Sequence, residues 1–146
     1  MQCKNKGFTL IELILVVAIV SFIAVLSSPF YARFLVQNAV DNTTDQLTGS
    51  LRKGQVYSMM GKQGSPWSVN FSSNTITLYK GTSFASRDAS FDEKFSVNSA
   101  VSINGTTDIS FARVTGLPTP ATATITISSG SNSKTVTMNA QGVVSR

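Results

Sequence analysis

The sequence predicts an α+β protein in which one long N-terminal helix, apolar in its first half and amphipathic in its second, packs on an antiparallel β-sheet head. Three observations predict it. Phe8 to Leu26 is a nineteen-residue run in which only Thr9, Glu12 and Ser21 are polar. Val36, Val40, Thr44, Leu47, Leu51 and Gln55 then recur at spacings of three or four, one face of a helix. From about Pro66 onward the chain is rich in Ser, Thr, Asn and Gly, and its apolar residues alternate with period two.

At 146 residues the chain suits one folded domain plus the N-terminal run. Its net charge is +5, with Lys4 and Lys6 at the extreme N-terminus. Loss of residues 1–7 would remove both lysines and no acid, leaving ten basic against seven acidic residues, a net +3. That mild excess implies no nucleic-acid partner by itself. The one cysteine, Cys3, has no partner for an internal disulfide, and the chain has no histidine. These absences remove most nucleophile–base pairs and most transition-metal sites, so no catalytic residue, cofactor or metal is expected.

The apolar run at about 1.5 Å per residue reaches roughly 28 Å, close to the hydrocarbon thickness of a bilayer. Lys4 and Lys6 ahead of it favour a cytoplasmic N-terminus, with the rest of the chain outside. Two ordinary readings compete: a secretory signal peptide cut near Val25-Leu26-Ser27, and a plain signal anchor. Both are opposed by Glu12, since a carboxylate near a membrane helix centre costs roughly 2.5–3.5 kcal/mol and is by default a functional residue with a partner.

A third reading accounts for the carboxylate. Gly7-Phe8-Thr9-Leu10-Ile11-Glu12, behind a short basic leader and ahead of an apolar helix, resembles the prepilin processing motif of type IV pilins and type II secretion pseudopilins. Pro29 falls where that family often places a proline. The resemblance implies that a membrane prepilin peptidase cuts between Gly7 and Phe8 and methylates the new Phe8 amine. Gly7 and Phe8 are then substrate positions. Physically, a glycine lets an extended backbone approach a protease cleft closely. The new amine is a cation four residues from Glu12, so helical spacing would put the two on one face. Between subunits the pair would set axial register, because a misregistered neighbour leaves both charges unpaired.

After Pro29, Asp41, Asp45, Arg52 and Lys53 lie off the apolar stripe. The helix is expected to reach about Met60 and stop at Gly61, with Gly49 and Gly54 weakening its last turns. At Pro29 a kink and a fresh helix start are both compatible with the residues, and the resemblance favours one long helix with a kink or a melted segment. The boundaries are therefore a leader at 1–7, a transmembrane and assembly helix at 8–28, an amphipathic helix at 29–61 and a β-rich head at 62–146. In the head, strands are expected at 66–71, 75–80, 91–97, 100–104, 109–114, 123–128 and 135–139, with a short one at 143–144. Residues 81–90 and 116–120 read as loops. This order resembles the head of H-type pseudopilins and FimU/FimT-type minor pilins, and it lacks the C-terminal cysteine pair of many major pilins.

Other constellations are weaker. Asp88, Asp92, Glu93 and Asp108 lack the spacing of a calcium loop and read as solvated charge. Arg52, Lys53 and Lys62 could meet DNA, although three cations near a helix end are more often a dipole complement. Trp67, Phe71, Phe91, Phe95 and Phe111 read as core.

The resemblance thus implies a non-enzymatic structural subunit, in a secretion or pilus filament. It would start as a single-pass protein of the bacterial cytoplasmic membrane with its head outside, then pass into a periplasmic or extracellular filament. Its partners would be the prepilin peptidase, other pilins or pseudopilins, an inner-membrane assembly platform and a motor ATPase. The alternative is a surface or tip subunit whose loops at 81–90 and 116–120 bind DNA, a surface or secreted cargo.

Overall fold

The computed structural model describes residues 7–72 and 74–146, with the side chains of residues 26–30 outside that description. The chain divides into two units, Met1–Leu35 and Val36–Arg146. One helix, α1 (Leu10–Met59), contributes to both. Pro29 falls among the residues whose side chains lie outside the description, as do Lys4 and Lys6, so the kink expectation is not addressed.

Within the second unit the sequence stripe becomes the buried face of α1. Val40, Thr44, Leu47 and Leu51 are buried, with Val36 and Gln55 half-buried at its ends. Each fully buried leucine contributes about 1.5–3 kcal/mol. Thr43 and Thr44 survive on this face because their hydroxyls donate to the carbonyls of Ala39 and Val40 at 2.8 and 2.7 Å. The helix ends at Met59, and the N–H of Gly61 donates back to the carbonyl of Ser58 at 3.0 Å.

Among the described residues nine strands follow, in two antiparallel sheets. They are β1 (Trp67–Ser72), β2 (Thr75–Lys80), β3 (Asp88–Ser96), β4 (Ser102–Gly105), β5 (Asp108–Phe111), β6 (Pro118–Thr119), β7 (Ala123–Ser129), β8 (Asn132–Met138) and β9 (Val144–Ser145). The first sheet has the order β3-β2-β1-β5-β6 and the second β4-β7-β8-β9. Tight turns set two registers: Ser72 faces Thr75 and Ser129 faces Asn132. Ile125, Ile127, Val136 and Met138 alternate inward from β7 and β8, joining Trp67, Val69, Phe71, Ile76, Leu78 and Phe111 in one core.

Three expectations are corrected. The loop at 81–90 is shorter, because β3 already begins at Asp88. That strand pairs through its backbone at a sheet edge, so no apolar period announces it. The segment at 116–120 contains β6, where Pro118 faces Phe111. A proline is tolerated there because β6 is an edge. Gly54 is not a flaw in the helix. A Cβ at that position would lie 3.2 Å from Leu78 Cδ1 and 3.3 Å from two ring atoms of Phe111, so the bare backbone sets how closely α1 approaches the sheet.

Gly54→Leu should therefore lose about 1–3 kcal/mol through overpacking. Gly49 is an exposed helical position with open space around it, and Gly49→Ala should gain up to about 1 kcal/mol from helix propensity. Urea unfolding of the full chain in detergent, followed by Trp67 fluorescence, measures both. Equal effects of the two substitutions would rule out close approach as the reason for Gly54.

Candidate functional site

Gly7 to Thr9 precede the helix, and Thr9 caps it. Its hydroxyl accepts the N–H of Glu12 at 3.4 Å, and its carbonyl accepts that of Leu13 at 3.2 Å. Thr9 and Glu12 have the spacing of a capping box, and Glu12 lies in the first turn, where a carboxylate complements the positive end of the helix dipole. The sequence reading missed this role, although Thr-x-x-Glu was visible. Phe8 stands two residues before the first helical residue, and in the uncut chain its nitrogen is the peptide amide to Gly7. The cap satisfies the backbone donor of Glu12 and leaves its carboxylate, which has no ion-pair partner among the described residues.

Behind this cap every large apolar side chain from Phe8 to Val25 is at least 47% exposed. Soluble surfaces rarely carry so continuous an apolar patch, which marks contact with a membrane or another protein. Ser21 does not interrupt it, since its hydroxyl is turned back onto the carbonyl of Val17 at 2.7 Å. Among the described residues, no helix is long and apolar enough to cross a membrane.

The four acids of the head are not brought together. Arg87 Nε lies 2.9 Å from Asp92 Oδ2, with Lys94 Nζ at 3.6 Å from the same oxygen. Only 3% of the Asp92 side chain is exposed, so this acid is a buried ion-pair partner and not solvated charge. Glu93 pairs with Lys53, and this hydrogen bond holds the Lys53 ammonium above its ordinary pKa. Asp88 accepts from the hydroxyl and N–H of Ser90 at 2.6 and 3.2 Å, which hold its carboxyl below the usual range. Asp108 accepts from the Tyr79 hydroxyl at 2.8 Å. The basic trio is also dispersed: Lys53 is paired, and Lys62 Nζ sits 3.6 Å from the Tyr57 ring centroid and 4.9 Å from that of Trp67. Only Arg52 stays fully exposed.

Residues 2–28 match the family model described as the prokaryotic N-terminal methylation motif. That motif is one of prokaryotic pilins, so the N-terminus of the chain is similar to that of type IV pilins. Two curated relatives, both named type IV major fimbrial protein FimA and both from Dichelobacter nodosus, are similar to it. One is 28% identical over 93 residues, covering 63% of this chain and 58% of the relative. The other is 29% identical over 82 residues, covering 56% and 52%. The chain thus spans little more than half the length of the curated relatives it matches. No solved structure gives a significant match.

Tyr79 offers a pH test of the head. Burial first, and then the hydrogen bond to Asp108, push its phenol well above the ordinary value of about 10. A raised folded pKa means that this contribution is complete below the unfolded value and is lost as pH rises towards the folded one. In an alkaline absorbance titration, Tyr79 should be the last of the three tyrosines to ionise. Tyr79→Phe should abolish that last step and cost about 1–3 kcal/mol, because it leaves Asp108 without its donor. A late step persisting in the variant would assign it to another tyrosine.

Proposed function

We propose that this chain is a structural subunit, a pseudopilin or minor pilin, of a type II secretion or type IV pilus filament. Prepilin peptidase cuts it between Gly7 and Phe8 and methylates the Phe8 amine. Residues 8–28 hold it in the bacterial cytoplasmic membrane as a single pass, head outward. An assembly platform and motor ATPase then draw it into the filament, where Glu12 and Pro29 serve assembly.

One observation carries this reading. The same helix is capped at Thr9 and exposed to Val25, apolar there apart from Glu12 and Ser21, yet from Val40 its apolar face is buried under its own head. A folded head needs no such extension for its stability. The extension needs a cover, first lipid and then the helices of other subunits. Heterologous contacts repeated with a rise give an open helix and not a closed ring. Glu12 supplies the register. Its carboxylate is not consumed by the cap, so it is open to pair with the Phe8 amine of an adjacent subunit once that amine is made. Pairing removes two charges from apolar surroundings, whereas misregister strands both.

Mass spectrometry of the mature protein should find residues 1–7 gone and a methylated Phe8. An intact Met1, or a cut near Ser27, would rule out the processing step. Glu12→Ala should still be cut and methylated. It should enter filaments at least about a hundredfold less, since a stranded partner charge costs about 3–5 kcal/mol. Normal incorporation of the variant would refute the register role of Glu12.

A further inference from the structure

A second apolar surface lies at the other end of α1. Val56 and Met59 of the helix and Met60 just past its end are 49%, 51% and 74% exposed, and Val114 and Leu117, from the turn after β5, are 68% and 48% exposed. The turn is fastened to the helix. The Val114 N–H donates to the carbonyl of Ser58 at 3.0 Å, and Gln55 Nε2 donates to that of Gly116 at 3.2 Å. Gly116, at φ +68°, lies against Met59 so closely that a Cβ would sit 2.5 Å from Met59 Cγ. The turn also closes on itself, from Gly116 N–H to Ala112 C=O at 2.9 Å and from Ala112 N–H to Leu117 C=O at 2.8 Å.

Val114 is the unusual member. Its φ is +72°, a left-handed conformation in which a β-branched residue is a genuine outlier. Strain of this kind persists where the surroundings over-determine it, and it collects at sites of function. Here the strained residue is apolar, rigidly held and pointed at solvent, although glycine would fit the backbone without strain.

The rim is cationic. Arg113 adjoins Val114, and Arg52 lies one turn before Val56 on α1. Both are exposed, and neither has an ion-pair partner among the described residues. Lys62, just beyond Met60, adds a third positive charge. A second copy of the chain offers little to neutralise them. Asp41, Asp45, Asp92 and Glu93 are already ion-paired and Asp108 accepts from Tyr79, which leaves only Asp88, held by Ser90, and Glu12, in the first turn of α1. Exposed apolar side chains flanked by the free cations Arg52 and Arg113 complement a surface that is apolar within and anionic outside. An anionic lipid bilayer has that order of layers.

We propose that this end of the head docks on an anionic lipid bilayer. Val114, Leu117 and Met60 enter the headgroup region while Arg52 and Arg113 meet lipid phosphates. The contact is separate from the apolar run at Phe8 to Val25 and needs no filament.

The test uses the full chain carried in nanodiscs of phosphatidylcholine, which cover the Phe8–Val25 run, mixed with separate vesicles and sedimented. Vesicles of phosphatidylcholine and phosphatidylglycerol in equal parts should capture the nanodiscs, and vesicles of phosphatidylcholine alone should not. Each of Arg52→Gln and Arg113→Gln should weaken capture about fivefold, the worth of one cation near an anionic surface, and added salt should weaken it further. Val114→Gly should raise the thermal midpoint by relieving the left-handed valine, yet lose capture. Leu117→Ser, at a position without a positive φ, should lose capture with the fold unchanged. Equal capture by both vesicle types, wild-type capture by Val114→Gly or Leu117→Ser, or association of nanodiscs with one another in place of vesicles would each overturn the proposal.

Discussion

How closely a helix can lie on a sheet decides this head. At Gly54 the bare backbone of α1 meets Leu78 and Phe111, and one turn later Ser58, which is fully buried, fixes the contact with polar bonds. Its carbonyl, one of the last four that a helix leaves without internal partners, accepts from Gly61 and from Val114, both at 3.0 Å. Its hydroxyl accepts the N–H of Trp67 at 2.8 Å, which ties the helix to the first residue of β1. Gln55 adds bonds to the carbonyls of Gly116 and Gln141 at 3.2 and 2.8 Å. These three polar groups, the Ser58 carbonyl and hydroxyl and the Gln55 amide, join the end of one helix to three separate chain segments. The core behind them, from Leu47 and Leu51 to Ile127 and Val136, closes because that spacing is set.

The same helix has to serve two surroundings. From Val40 onward its apolar stripe is spent inside the head, so the head gains nothing from the exposed residues before Val25. Charge follows the same division. Of the seven acids, Glu12 alone lies in the first unit, and the head's ion pairs are formed within the head. A carboxylate at a helix N-terminus is stabilised by the dipole, typically by 0.3–1 kcal/mol. That local gain is small beside the cost of an unpaired charge in lipid or a packed filament. Glu12 can therefore start the helix in water and still need a partner once the helix is covered.

Much of this was legible in the residues, because it is local. The spacing from Val36 to Gln55 gave the buried face of α1, and the alternations of Trp67-Val69-Phe71 and Ile76-Leu78 gave β1 and β2. Gly7 to Glu12 were readable as a motif, and residues 2–28 match a family model of that kind. What was not legible depends on distant partners. β6 exists only because Phe111 lies opposite Pro118, and Asp92 is buried only because Arg87 and Lys94 converge on it. Gly54 reads as a weak helix residue until Leu78 and Phe111 are placed against it. The division of the strands into two sheets is likewise a matter of pairing, not of periodicity.

The cations near the end of α1 show where a plain structural account stops. Lys62, just past the end of α1, is held by the rings of Tyr57 and Trp67, whereas Arg52 stands before the last turn of the helix. Stability alone accounts for Lys62. It does not account for the neighbouring turn. Arg113 is not on the helix, and Val114 occupies a left-handed backbone at which glycine would be more stable. Natural chains sit close to a stability threshold, and a local loss of this kind is commonly tied to function. The bonds from Ser58 and Gln55 hold the turn in place despite that loss. The anchoring that closes the core therefore also presents Val114 and Leu117 outward, so the packing of the head and the surface it offers rest on the same few groups.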